Sequence, residues 1–167
     1  MRYLLFALLA LTHSLAAQPW RVVGDEQFAP YSFVTAEDDT PRGLDVELVD
    51  AVLREAQVPY EIRLYPWERV KRMLDRGEVQ MAFQFAGTPQ RQQQYELVGP
   101  LRSGSTVFMT TAKTAITDWK TLDDLSPYVI GQVRGYAYEE KFDHADLARD
   151  TSAVSYTHLT LPTTPYV

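Results

Sequence analysis

Apolar and polar positions follow two spacings along the middle of the chain, one typical of strands and one of helices. Residues 20–24 form a short β-rich run that ends at a glycine, which predicts a first strand. Residues 60–65 alternate apolar and polar side chains and predict a second strand, and residues 79–85 predict a third. Helical spacing begins at Gly43 and again at Pro66. This order predicts an α/β domain with a largely parallel sheet.

Each of the two predicted helices carries an apolar stripe. In the first helix the stripe has a spacing of four residues, with Leu44, Leu48, Val52 and Ala56, and is joined by Ala51 and Leu53. In the second helix it consists of Trp67, Val70 and Leu74, and Gly77 is suited to end the helix. A polar loop is expected between the first strand and the first helix.

A second α/β unit is predicted to begin after residue 85. Thr88 is the expected N-cap of a short helix, with Pro89 at its first position. Further along, the patterns predict a strand that crosses into a second lobe, a helical turn, another strand and a glycine turn that leads into a helix, at residues 105–111, 121–125, 128–133 and 135–142.

The first residues have the pattern of an export signal. Arg2 precedes an apolar run at residues 4–11, and small residues follow at Ser14, Ala16 and Ala17. The apolar run is shorter than the ~20 residues that a membrane-spanning helix needs. Residues 1–17 are therefore predicted to be a cleaved signal peptide that exports the mature protein.

The last residues, 154–167, contain no charged side chain, and Pro162 and Pro165 would interrupt a helix or a strand. Residues 154–159 can be encoded by a DNA sequence that resembles a transposon adapter used in sequencing libraries. We therefore expect a non-native tail; the alternative is a genuine linker rich in threonine and proline.

Composition excludes several classes of protein. The chain has 167 residues, with 16 Lys and Arg against 22 Asp and Glu, and this acidic balance argues against nucleic-acid binding. It has no cysteine, which excludes disulfides and thiolate metal sites. Of its three histidines only His144 lies between the predicted signal peptide and the predicted tail, and one histidine makes a zinc site or a catalytic triad improbable. No phosphate-binding or nucleophile motif is present. We expect no metal, no other cofactor and no enzymatic activity.

The segments after the predicted strands are suited to binding. Ligands of open α/β sheets collect at the carboxyl ends of the strands. The segments at these ends are residues 25–31, 66–69 and 86–91, which offer aromatic side chains, backbone amides at a helix start and an arginine. They are expected to converge on one edge of the sheet.

In these segments the chain resembles the bacterial extracellular solute-binding proteins of family 3, periplasmic receptors for polar amino acids and related solutes. The matching pieces occur in family order within residues 20–142: residues 22–31, 43–48, 66–67, 74–77, 88–91 and 131–138. The resemblance implies a two-lobed periplasmic-binding-protein fold of type II. Lobe 1 would occupy residues 18–103 and be mostly present, whereas lobe 2 would begin at residues 104–153 and be incomplete.

The resemblance also implies a set of ligand-binding residues: Asp25, Phe28, Trp67, Ala86, Thr88, Arg91, Gly135 and Ala137. Phe28 and Trp67 would lie on opposite sides of the solute, and Arg91 would bind its α-carboxylate through two hydrogen bonds. Ala86 and Thr88 would help to hold the same solute, and the amides from Gly135 to Ala137 would face the carboxylate from lobe 2.

Some positions depart from the family. Gln80 replaces an aspartate, and Gln84 and Ala86 replace small hydroxyl residues, which weakens the case for an ordinary α-amino acid. Arg69 and Arg134 would favour an acidic solute if they line the cleft, and are surface arginines otherwise.

The implied function is a periplasmic receptor that captures a small polar solute, an amino acid or a related carboxylate, for an ABC permease in the inner membrane. The full-length receptor is expected to be a monomer. The alternatives are the ligand-binding module of a sensor or of a murein hydrolase, and an enzyme similar to the periplasmic cyclohexadienyl dehydratases.

Overall fold

A computed structural model describes residues 18–35, 37–111, 113, 116 and 118–152. The predicted signal peptide, residues 1–17, and the predicted tail, residues 154–167, lie outside the described residues. Both therefore stay predictions.

The elements alternate between strands and helices from Trp20 onward. In chain order they are β1 (Trp20–Asp25), β2 (Gln27–Phe28), β3 (Ser32–Thr35), β4 (Asp38–Arg42), α1 (Leu44–Glu55), β5 (Tyr60–Tyr65), α2 (Trp67–Asp75), β6 (Met81–Ala82), α3 (Pro89–Gln94), a 3₁₀ turn (Leu122–Leu125), β7 (Ile130–Gly131), α4 (Glu140–Asp143) and β8 (Arg149–Asp150). No helix among the described residues is long and apolar enough to cross a membrane.

A parallel sheet in the order β5-β1-β6 forms the centre of the fold and confirms the predicted α/β class. Val22 lies opposite Ile62 on one side and Met81 on the other. β6 is shorter than the predicted third strand because Gln84 has a φ of +73°, which ends the extended backbone.

One helix covers each face of this sheet. Successive residues of β1 point to opposite faces, so Val22 packs beneath α1 and Val23 packs beneath α2. The cluster under α1 contains Val46, Val49, Leu53, Leu64 and Phe83, and the cluster under α2 contains Trp67, Val70, Met73 and Val79. The sheet is therefore buried on both sides, as parallel sheets are.

Most of the stripe predicted on α1 does not face the core. Leu44, Leu48 and Val52 are 58%, 39% and 50% exposed, whereas Val46 and Val49 are buried together with Leu53, the one residue of the predicted stripe that faces the core. Hydrogen bonds at the start of the helix fix its rotation, because the amides of residues 44 and 45 donate to the carbonyls of residues 30 and 31. The helix was predicted correctly and its buried face was not.

Residues 26–42 also differ from expectation. The predicted polar loop is instead an antiparallel sheet in the order β2-β3-β4, with Gln27 opposite Phe33 and Phe33 opposite Arg42. These strands are short and polar, so they lack the apolar alternation that identifies a strand in sequence.

The later elements are smaller. Residues 105–111 form no strand, and no described strand pairs with them; Val107 and Met109 are largely exposed. The predicted helical turn is present, with Thr121 and Asp124 capping it reciprocally. The strand predicted at residues 128–133 is limited to β7, which pairs in parallel with β8. The helix after the glycine turn begins only at Glu140.

Candidate functional site

Four of the predicted ligand-binding residues lie at or just after the carboxyl ends of the three parallel strands. Asp25 is the last residue of β1, Trp67 begins the helix that follows β5, and Ala86 and Thr88 lie in the connection after β6. The parallel direction of the strands brings these positions to one edge of the sheet, where ligands of open α/β sheets bind.

Asp25 is a buried carboxyl group at the centre of this edge, and only 4% of it is exposed. Its Oδ1 accepts a hydrogen bond from the backbone amide of Gln27 at 2.9 Å, and its Oδ2 accepts one from the hydroxyl of Tyr136. Burial raises the pKa of Asp25, and these two hydrogen bonds oppose the increase. Asp25 thus accepts one hydrogen bond from Gln27, its near neighbour in the chain, and one from Tyr136, which lies in the turn after β7.

Gln84 fixes the end of β1 from the opposite side. Its Oε1 accepts from the amide of Asp25 at 3.1 Å, and its Nε2 donates to Ser32 Oγ at 2.7 Å and to Asp45 Oδ2 at 3.2 Å. Arg102 Nε lies 3.5 Å from Asp45 Oδ1. In the sequence Gln84 stood out only as a replacement for a hydroxyl residue; its positive φ, which turns the side chain into this network, left no signal there.

Arg91 lies in the first turn of α3. Thr88 caps this helix, as predicted, and its Oγ1 accepts the amide of Arg91 at 3.3 Å. The guanidinium donates to the carbonyl of Ala86 at 3.2 Å, and its carbon lies 4.8 Å from the ring centroid of Phe85 and 5.9 Å from that of Trp67. Burial lowers the pKa of Arg91. No carboxylate of the described residues forms an ion pair with it.

Tyr136 lies between the two aromatic residues that were expected to flank a solute. Its ring centroid is 5.9 Å from that of Phe28 and 5.9 Å from that of Trp67, with interplanar angles of 82° and 79°. The indole of Trp67 also donates to the carbonyl of Gly135 at 2.9 Å. Sequence reasoning singled out Gly135 and Ala137 and missed Tyr136; an aromatic residue inside a glycine turn was the available signal.

The backbone conformation at position 135 favours glycine. Its φ is +78°, and a Cβ at this position would collide with the side chains of Glu68 and Lys71, which form an ion pair of 2.8 Å. The turn therefore packs directly on the first part of α2. Ala137, two residues further, is half-buried.

Seven of the eight predicted residues belong to one connected group. Asp25, Phe28, Trp67 and Gly135 are joined through Tyr136 and its backbone, and Arg91 links Ala86 and Thr88 to the same aromatic side chains. Ala137 adjoins the group along the chain.

The two arginines that would favour an acidic solute, Arg69 and Arg134, are both exposed. The guanidinium carbon of Arg69 lies 4.2 Å from the ring centroid of Tyr65. The described residues contain no cluster of three or more side chains that could hold a metal ion.

Three solved structures that share this fold are binding proteins. An ancestral arginine-binding protein bound to glutamine has a TM-score of 0.55 at 19% identity over 79% of this chain and 59% of that one. The same ancestral type bound to arginine has a TM-score of 0.52 at 19% identity, over 70% and 51%. A Salmonella typhimurium periplasmic binding protein of high arginine specificity has a TM-score of 0.52 at 24% identity, over 71% and 52%. The chain spans about half the length of these proteins.

Of two sequence comparisons, one gives a match. A search of curated protein sequences gave none. The sequence profile of the bacterial extracellular solute-binding proteins, family 3, matches residues 20–156. That match covers most of the chain, from the start of β1 past the end of β8. The chain therefore belongs to the bacterial extracellular solute-binding proteins of family 3.

Proposed function

We propose that the protein is a periplasmic receptor that captures a small polar solute, an amino acid or a related carboxylate, for an ABC permease in the inner membrane. Membership of a solute-binding family supports the binding role. The amino acids bound by the structural relatives, arginine and glutamine, support the solute class.

The surroundings of the Arg91 guanidinium are the main observation that supports the proposal. Its guanidinium is half-buried beside aromatic rings and makes one hydrogen bond to a neutral carbonyl, without a carboxylate partner among the described residues. The charge of Asp143 acts on this guanidinium, but from beyond ion-pair distance. A partly desolvated charge without an ion-pair partner is costly, and a carboxylate with two oxygens is the group that best matches its planar donors. A solute carboxylate at Arg91 would remove that cost.

The contacts of Gly135 and Tyr136 with Trp67 and Asp25 support a site with two sides. A solute bound at Arg91 would touch the sheet edge and the glycine turn together. Binding would then favour the closed arrangement of the two regions, and a permease would recognise that arrangement.

Titration calorimetry on the full gene product tests the binding step. With glycine, L-alanine, L-glutamine and L-arginine as probes, Arg91→Ala should weaken binding by about 2–5 kcal/mol because the charge pair is desolvated. Arg91→Lys should also lose affinity, since an ammonium group cannot form the paired hydrogen bonds. Arg63→Ala is the matched control, because Arg63 is exposed and ion-paired with Glu61 at 2.6 Å. Equal affinities of the wild type and Arg91→Ala would contradict the role of Arg91.

Transport is tested separately in the native cell. Deletion of the gene should abolish uptake of the solute that the protein binds, and fractionation should find the protein in the periplasm. Undiminished uptake would favour the alternative of a ligand-binding module in a sensor or a murein hydrolase.

A further inference from the structure

Tyr136 fills the space in which a solute side chain would be expected. Aromatic pairs in contact have centroids about 4.5–7 Å apart, and Tyr136 is at 5.9 Å from Phe28 and from Trp67. Both neighbours meet it at nearly a right angle. A ring in contact with both neighbours leaves no room for a third group between them.

Several contacts hold Tyr136 in this position. Its hydroxyl donates to the buried carboxylate of Asp25, and the indole of Trp67 donates to the carbonyl that precedes Tyr136 in the chain. Tyr138 lies behind the ring, with a centroid distance of 6.3 Å. The Tyr136 ring is therefore fixed from both ends.

Arg91 lies outside this occupied space. Its guanidinium is on the side of Phe85, which is packed against the indole of Trp67 at 4.7 Å. A solute carboxylate bound to Arg91 would lie on that side, whereas a long side chain that extended from it between Phe28 and Trp67 would meet the ring of Tyr136.

We propose that Tyr136 determines solute size: it takes the place of a solute side chain between Phe28 and Trp67 and limits the site to amino acids and carboxylates with short side chains. This inference rests on the proposed function. It also assigns Asp25 a partner within the protein, so that a positively charged solute side chain has to compete with the hydroxyl of Tyr136.

Titration calorimetry on the full gene product tests the size limit with glycine, L-alanine, L-glutamine and L-arginine. The wild type should bind the two small amino acids at least tenfold more tightly than the two large ones. Tyr136→Ala should raise the affinity for L-glutamine relative to glycine at least tenfold, because it opens the space. The gain for L-arginine should be larger, because the variant also frees Asp25.

Tyr136→Phe should keep the preference for small solutes, because the ring remains. Tyr128→Ala is the matched control, because Tyr128 is a half-buried tyrosine that follows the 3₁₀ turn and its amide donates to the carbonyl of Leu125, away from Phe28 and Trp67 along the chain.

The outcomes separate the two proposals. An unchanged ratio of L-glutamine to glycine affinity in Tyr136→Ala, with both solutes bound, would overturn the size limit and leave the proposed function standing. The absence of binding of all four amino acids to the wild type and to the variant would overturn the size limit and would contradict the proposed function for amino acids.

A second measurement needs no solute. With Trp20 and Trp119 replaced by phenylalanine, the fluorescence of Trp67 reports on its surroundings. Tyr136→Ala should shift the emission to longer wavelength and increase quenching by acrylamide, because the ring no longer covers the indole. Unchanged emission would overturn the inference by showing that Tyr136 does not lie there.

Discussion

Residues 20–85 and residues 118–152 bury their apolar side chains in different ways. The first region, the sheet region, has a parallel sheet with one helix on each face and a buried cluster under each helix. In the second, the distal region, the only buried hydrophobic residues that the structure describes are Leu125 and Phe142, and its strands β7 and β8 have two residues each.

The candidate site draws on both regions, although their cores differ. The sheet region supplies Asp25, Phe28 and Trp67 from β1, β2 and the start of α2, and the distal region supplies Gly135 and Tyr136 from a turn. Fold stability is therefore expected to reside mainly in the sheet region, and the distal region is held on it by contacts of the site itself. A solute that binds at this junction can change the arrangement without disturbing the sheet.

The largest expected effect distinguishes the two cores. Phe83→Ala should lower the free energy of unfolding by about 3–5 kcal/mol, because Phe83 is buried against the sheet and covers Gly24 closely. Phe142→Ala should loosen the distal region alone. Hydrogen exchange by mass spectrometry measures both: Phe83→Ala should accelerate exchange in β1 and β5, whereas Phe142→Ala should leave their protection unchanged. Loss of β1 protection in Phe142→Ala would show that the two regions share one cooperative core.

A smaller effect is expected at the junction. Gly135→Ala should cost about 1–2 kcal/mol for the left-handed backbone. A small further cost comes from displacing the carboxylate of Glu68 and the ammonium of Lys71, which lie at the ends of flexible side chains. Gly77→Ala is a close control: its φ is +65°, and no atom lies within 4 Å of the added Cβ. Chemical denaturation should find Gly135→Ala less stable than Gly77→Ala. Equal stability would argue against tight packing of the turn on α2.

The sequence was sufficient for those features that depend on local chemistry. Thr88 as an N-cap, Gly77 after the end of α2 and the alternation in β5 each follow from the conformational preferences of a few neighbouring residues. These elements set the parallel order of the sheet and hence the edge at which the site forms.

Features set by distant contacts could not be predicted in this way. The rotation of α1, which buries Val49 and exposes Leu48, depends on backbone hydrogen bonds to residues 30 and 31. The position of Tyr136 depends on a hydroxyl that meets Asp25, which is 111 residues away along the chain. Neither contact leaves a periodic signal in the sequence.

The smallest expected effect is a pH dependence from Asp25. Its pKa in the folded state is raised above the ordinary value of 3.8, chiefly by burial, so the folded protein retains a proton that the unfolded chain has lost. The free energy of unfolding should therefore fall as pH rises from 3.8 through the raised pKa. Asp25→Asn lacks this proton, so its stability relative to the wild type should increase over the same interval. Denaturant titrations across that interval measure the difference, and a constant difference would contradict a raised pKa.

The junction itself is tested most directly by nuclear Overhauser effects between aromatic rings. In protein with selectively labelled aromatic residues, we expect cross-peaks from the ring of Tyr136 to the rings of Phe28 and Trp67. Cross-peaks between Trp67 and Phe85, whose centroids are 4.7 Å apart within the sheet region, serve as the internal control. Detection of the control peaks without those of Tyr136 would show that the two regions do not meet at the site.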